Sequence, residues 1–332
     1  MNRTGRGRCH THLGENQNFL TREVPMLTPL FMNGSASDPA YRNIRDAKEG
    51  ILRTARWHCE YLWIVFQHHA DREFRNELRS TFDARYWEMY LTTSLILTGH
   101  EVTCPKPGPD VGIIYKGQRI WFEATSPTRG ADGAPDQIPE PKISAMGEEP
   151  VVHDVPNEKI VLRYLNSISV KYKEQYANWL RKGIVSDRDA FVIAVNPREI
   201  PYEYADTSPP RILQAGYTVG APYLVIDRGT GKAKRSGYHF RDHVVKEPKK
   251  DAKEGDQPTK VPTGVFQQEE YNGLSALLCS RVDAANRPGE MGGDFQLAPN
   301  PHAKVPLPKG FRLRGVYYDA KVTDGGYDVT PQ

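Results

Sequence analysis

Between residues 74 and 97 the apolar positions fall at helical spacing in two rows. Phe74, Leu78, Phe82, Tyr86 and Met89 form one row, and Ala84, Leu91 and Leu95 form the other. Two apolar rows on one helix predict that it is sandwiched between layers. Gly99 supplies a left-handed cap. The period then changes from helical to alternating, and 100–104, 111–115 and 120–125 read as short strands. Lys116-Gly117-Gln118 reads as the turn joining the last two. A second helical period fills 159–182, with Val161, Leu165, Ile168, Tyr172, Tyr176 and Trp179 inward and Gly183 at its end. The apolar run 190–196 after it reads as a buried strand.

Outside this stretch the pattern is coarser. Residues 1–40 are rich in Gly, Asn, Thr and Pro, and the first dozen read as a mobile tail. Cys9, His10 and His12 in that tail are set aside as a metal site. From Ser37 the capping signal SASD opens a helical region to about Phe66, with Ile44, Ile51, Leu52, Ala55, Cys59, Leu62, Trp63 and Phe66 as its inward side. His68, His69, Asp71 and Glu73 read as a solvated helix junction. The span 126–158 holds six prolines (127, 135, 139, 141, 150 and 156), which rule out regular structure. A loop of that length is a functional lid or a disordered segment. Strands are expected at 222–227 and 238–245 about a Gly-rich turn, in a region (228–260) where Lys and Arg outnumber acids. That region reads as a solvated hairpin or as a grip on phosphates. From residue 261 short apolar runs alternate with Pro-rich connectors and extend or cover a sheet, with Asn300, His302 and Lys304 as candidates to line a cleft.

A chain of 332 residues with a formal charge of +3 can build a large core and is not basic enough overall to bind nucleic acid by bulk charge. Cys9, Cys59, Cys104 and Cys279 are scattered and form no C-x-x-C pair, which argues against a disulfide framework and a zinc ribbon. The basic start lacks the apolar stretch of a signal peptide, and no apolar run is long enough to span a bilayer. The expectation is a cytoplasmic protein with no membrane partner and no organic cofactor.

Three carboxylates stand out against this pattern. Glu123 interrupts the bulky run Ile120-Trp121-Phe122 and shares a strand face with Trp121 and Thr125. A buried carboxylate costs several kcal/mol, roughly, unless a cation or hydrogen bonds compensate it. Asp110 closes the turn PKPGPD at the mouth of the next strand, so a hairpin would bring it beside Glu123. Glu88 lies in the second apolar row of the 74–97 helix. Lys171 and Gln175 fall one turn apart on the flank of the later helix. Each has an ordinary reading too: Asp110 as a turn residue after Pro109, Glu88 as a partner of Arg85, Lys171 as a snorkelling flank.

Helix, strand, strand with Asp, strand with Glu resembles the PD-(D/E)xK, restriction-endonuclease-like nuclease superfamily. Pro109-Asp110 matches the PD step and Glu123-Ala124-Thr125 the (D/E)xK step, with Glu88 where many members carry a helix glutamate and Thr125 in place of the lysine. The resemblance implies an α/β fold with an αβββαβ core and mixed central sheet at 71–200, an N-terminal tail and helical addition at 1–70, and a β-rich extension at 201–332. It implies Asp110, Glu123 and Glu88 as ligands of Mg²⁺ or Mn²⁺, joined by the carbonyl of Ala124, with Lys171 as a migrated lysine and Gln175 as its positioning neighbour. The activity implied is hydrolysis of DNA phosphodiester bonds, fitting a restriction or defence role, with a homodimer expected where both strands are cut. The competing expectation is an inactive nuclease-fold protein that binds or scaffolds DNA.

Overall fold

A computed structural model describes residues 28–142, 144, 149, 151–152, 154–205, 208–248, 257–323 and 326–332. The Cys9, His10 and His12 group and part of the basic 228–260 region lie outside them. Among the described residues no helix is long and apolar enough to cross a membrane.

The chain is α/β, built on a mixed eight-stranded sheet. The N-terminal helices are α1 (Pro39–Arg45), α2 (Gly50–Phe66), α3 (Phe74–Glu77) and α4 (Phe82–Leu97). The expected capping signal is real and does double work: Asp38 Oδ1 accepts from Tyr41 N–H at the start of α1, and Oδ2 accepts from Phe82 N–H at the start of α4. The single helix expected over 74–97 is instead two, because the chain turns between Leu78 and Thr81. Ile51 and Leu52, expected inward, are exposed on α2, whereas Ala55, Cys59, Leu62, Trp63 and Phe66 are buried. Gly99, at φ +90°, ends α4 with its N–H on Ile96 and the next N–H on Leu95, a left-handed cap.

Three antiparallel strands follow: β1 (Val102–Thr103), shorter than the expected strand at 100–104, β2 (Val111–Tyr115) and β3 (Gln118–Thr125). Lys116 and Gly117 both have positive φ and form a two-residue hairpin turn, whose twist suits the flanking strands. Helix α5 (Asn157–Val170), one wide π-turn (Lys171–Tyr176) and α6 (Ala177–Arg181) cross over to β4 (Ala190–Val195), parallel to β3. After α7 (Arg211–Gly216), β5 (Val219–Ile226) pairs with β6 (Ala233–Phe240), and β7 (His243–Lys246) with β8 (Thr259–Pro262), as two separate ribbons. The strand expected over 238–245 is therefore split between them. The strands β9 (Ala276–Cys279), β10 (Gln296–Pro299), β11 (Val316–Thr323) and β12 (Gly326–Pro331) extend the sheet, whose order is β1-β2-β3-β4-β9-β10-β11-β12.

Alternation along β3 divides the core. Ile120, Phe122 and Ala124 pack with α4 and α2 on one face, while Trp121 packs with α5, Tyr176 and Trp179 on the other. Ten consecutive residues of α4, from Tyr86 to Leu95, are buried, so this helix is enclosed on all sides between α2 and the sheet. Trp87 Nε1 donates to the Ala194 carbonyl at 2.9 Å and pins α4 to β4 one residue before Glu88.

Candidate active site

Glu123, Asp110, Glu88, Lys171 and Gln175 line one cavity of about 540 Å³, together with Asp71, Thr81, Ala84, Arg85, Lys106, Gly108, Ala124 and Trp179. The hairpin brings the first two acids together. Val111 pairs with Phe122, so the residue before β2 faces the end of β3. Asp110 N–H donates to Glu123 Oε2 at 3.3 Å, and Asp110 Oδ2 accepts from Ala124 N–H at 2.7 Å. Two backbone amides thus lock the carboxylates side by side, while Asp110 Oδ1 makes no hydrogen bond among the described residues.

Lys171 completes this half. Its Nζ donates to Glu123 Oε1 at 2.6 Å from the first residue of the π-turn. Wide turns of this kind occur mostly as single bulges in helices, often at functional sites. Here the turn presents both Lys171 and Gln175 to the cavity. Tyr172 and Tyr176 anchor it from below by stacking, 5.1 Å apart, with Tyr176 also stacked on Phe191 of β4. Thr125, which stands where the resemblance expects a lysine, is 2.5 Å from Ser167 Oγ and ties β3 to α5 instead.

Glu88 reaches the cavity from α4 and is held more tightly than the resemblance implies. Its Oε2 accepts from Arg85 at 2.5 Å and its Oε1 from Lys106 at 3.3 Å. Lys106 also lies 3.5 Å from Asp71, so the supposedly solvated junction at 68–73 contributes an acid to the cavity wall. Arg85 was legible as a neighbour of Glu88 by its three-residue spacing. Lys106 and Asp71 carried no sequence signal beyond their charge. Asn300, His302 and Lys304 do not line this cavity: Asn300 is buried and bonds the Leu274 carbonyl, and His302 contacts Tyr327.

Burial and crowding set the protonation of the acids. Burial, then the neighbouring Asp110 charge, pushes Glu123 up to about 8 against the pull of Lys171. The same two causes raise Glu88 against Lys106 and Arg85. Burial pulls the Lys171 ammonium down, but Glu123 and Asp110 outweigh it and leave it above the ordinary lysine value. Adjacent buried carboxylates that repel one another are the charge arrangement a divalent cation relieves. Among the described residues no group of three His, Cys, Asp or Glu side chains is gathered closely enough to hold a metal by itself. Two carboxylates with a backbone carbonyl, the remaining positions going to water and substrate oxygens, is a donor set that suits Mg²⁺.

Comparison with protein families, characterised proteins and solved structures returned no match for this chain.

Proposed function

We propose that this protein is a metal-dependent nuclease that hydrolyses DNA phosphodiester bonds, with α4, β1 to β3, α5 and β4 as a restriction-endonuclease-like core. The observation that carries the reading is the convergence of Asp110, Glu123 and Lys171 from two strands and a helix into one cavity at the sheet end. Asp110 and Glu123 would hold Mg²⁺ or Mn²⁺, with the Ala124 carbonyl beside them. A bound divalent ion supplies charge neutralisation at the phosphate and lowers the pKa of coordinated water.

The chain's own residues do the rest. The amide locks on Asp110 and Glu123 keep both carboxylates in place without reorganisation. Lys171 offers an ammonium to the charge that grows on the phosphoryl oxygens, and Gln175, one turn on, orients what Lys171 contacts. Glu88, already paired with Arg85 and Lys106, acts as the anchor that holds those two cations at the rim.

The pairing of Glu88 favours a second reading, a nuclease-fold protein that binds DNA without cutting it, since an acid engaged by two cations is a poor further ligand. Plasmid cleavage with and without Mg²⁺ or Mn²⁺, using Asp110→Ala and Glu123→Ala as controls, separates the two. The nuclease reading expects cutting that needs the metal and both acids. Binding without cutting supports the second reading, and metal-independent cutting that ignores both substitutions removes the site.

A further inference from the structure

Among the described residues the β5–β6 ribbon pairs with no other strand and is exposed along nearly its whole length on both faces. An isolated two-stranded hairpin is marginally stable in water, yet this one turns Leu224, Val225, Ile226, Tyr238 and Phe240 outward. Arg228, Lys232, Lys234 and Arg235 at its tip and along β6 are exposed, and none makes an ion pair with a described residue. The ribbon's single acid, Asp227, is spent on its own turn, where Oδ1 accepts from Gly229 N–H and Thr230 N–H. The result is a cationic arm whose charges have no acidic partner among the described residues, with aromatic surface between them: Arg235 stands 5.9 Å from the Tyr223 ring, which lies 5.1 Å from His239.

The arm is rooted at the end of the sheet where the acidic cavity lies. Arg241, the residue after β6, is 3.9 Å from Glu158 in the first turn of α5. Its Nη1 is buried with no hydrogen-bond partner among the described residues. Helix α5 runs back along β3, since Ser167 meets Thr125 and Lys171 meets Glu123. Its first turn therefore projects beyond the carboxyl end of β3. The thirteen residues from Glu158 to Lys171 place the root of the arm roughly 20 Å along the helix from the candidate site, about six base-pair steps.

We propose that the β5–β6 ribbon is a duplex-binding arm that holds DNA through its phosphates while the cavity engages a phosphodiester further along. The choice of DNA rests on the nuclease reading above. A two-stranded ribbon fits the major groove, about 12 Å wide, and cations without internal partners bind phosphates with release of counterions. Fluorescence anisotropy in EDTA with a labelled duplex about 30 base pairs long, roughly 100 Å, tests it on the full chain. The combined variant Arg228→Gln, Lys232→Gln, Lys234→Gln, Arg235→Gln is compared with wild type. All four positions are exposed, so an unchanged melting temperature confirms that the variant is folded. The expected result is binding weakened roughly tenfold or more, with the slope of log K against log salt reduced by about one per lost phosphate contact. A ribbon variant that binds as well as wild type overturns the arm and leaves the nuclease reading untouched. Loss of binding in the ribbon variant, with no metal-dependent cutting by wild type, keeps the arm and removes the nuclease. Wild-type protein that sediments with phosphatidylserine vesicles but does not bind the duplex overturns the proposal in favour of an anionic lipid surface.

Discussion

Lys171 Nζ stands 2.6 Å from Glu123 Oε1, and this contact is made from a wide helical turn rather than from the strand that carries the acid. A lysine two residues after Glu123 would have shared its strand face. Thr125 occupies that position and is spent on Ser167. If Lys171 supplies the positive charge, Lys171→Met lowers single-turnover cleavage by about 10² to 10³-fold, the range for removing one preorganised charge or donor. The fold tolerates the change at neutral pH because Glu123 simply keeps a proton. A wild-type rate in Lys171→Met would transfer the role to Lys106, the other ammonium in the cavity.

On the nuclease reading Asp110 has two jobs that substitution can separate. Its Oδ2 accepts the Ala124 amide, and its charge is available to a cation. Asp110→Asn keeps an acceptor for the amide and loses the charge, so Mn²⁺ binding by calorimetry and cleavage both fall while the melting temperature holds. Asp110→Ala loses both and costs a further 1 to 3 kcal/mol, roughly, for the amide left without a partner. Equal melting temperatures for the two variants would deny the lock its structural part.

The acids of this site were legible because each breaks a pattern: Glu123 in an apolar strand, Glu88 in an apolar helix row. Their meeting was legible through the hairpin, since a two-residue turn at Lys116-Gly117 fixes which residues face each other. The partners of Glu88 were not, because Lys106 and Asp71 sit in irregular segments where no periodicity says which way a side chain points. The π-turn left only a trace, two successive four-residue steps from Ile168 to Tyr172 to Tyr176, and an α-helix absorbs that drift. Ile51 and Leu52 misled because apolar type at the start of α2 says nothing about what packs there, and the helix presents them to solvent.

If Glu123 ligates the ion as proposed, metal affinity depends on pH. Glu123 carries a proton up to about 8 because burial and the Asp110 charge outweigh Lys171. A cation must displace that proton, so Mn²⁺ affinity rises by up to roughly tenfold per pH unit below about 8 and levels off above it. Glu123→Gln, which has no proton to lose, flattens the titration as well as weakening binding. A wild-type affinity constant between pH 6 and 8 would show that Glu123 does not ligate the ion.

Gly112 controls the strand that delivers Asp110. It sits opposite Trp121, and a Cβ there would come within 2.4 Å of the indole ring. Gly112→Ala therefore forces the ring or the strand aside and costs about 1 to 3 kcal/mol, the range for overpacking a filled core. If Asp110 acts in cleavage as proposed, cleavage falls further than stability alone explains, because the shift is transmitted to Asp110 two residues earlier. An unchanged melting temperature in Gly112→Ala would show that Trp121 has room to move.

Asp83, on the first turn of α4, gives a stability signature unconnected to any ligand. Burial, then repulsion from Asp38 and Asp283, pushes it up to about 6 from an ordinary 3.8, against the pull of Arg198. A carboxyl raised in the folded state binds its proton more tightly there than in the unfolded chain. Its contribution is fully present below the unfolded value of 3.8 and is lost as pH rises through about 6. At about 1.4 kcal/mol per unit, a rise of about two units puts the penalty at pH 8 on the order of 3 kcal/mol. Asp83→Asn removes the charge without the volume, so its melting temperature exceeds that of wild type at pH 8 and converges with it near pH 4. A difference between the two that stays constant across that range would mean Asp83 is ionised in the fold throughout, with Arg198 outweighing its acidic neighbours.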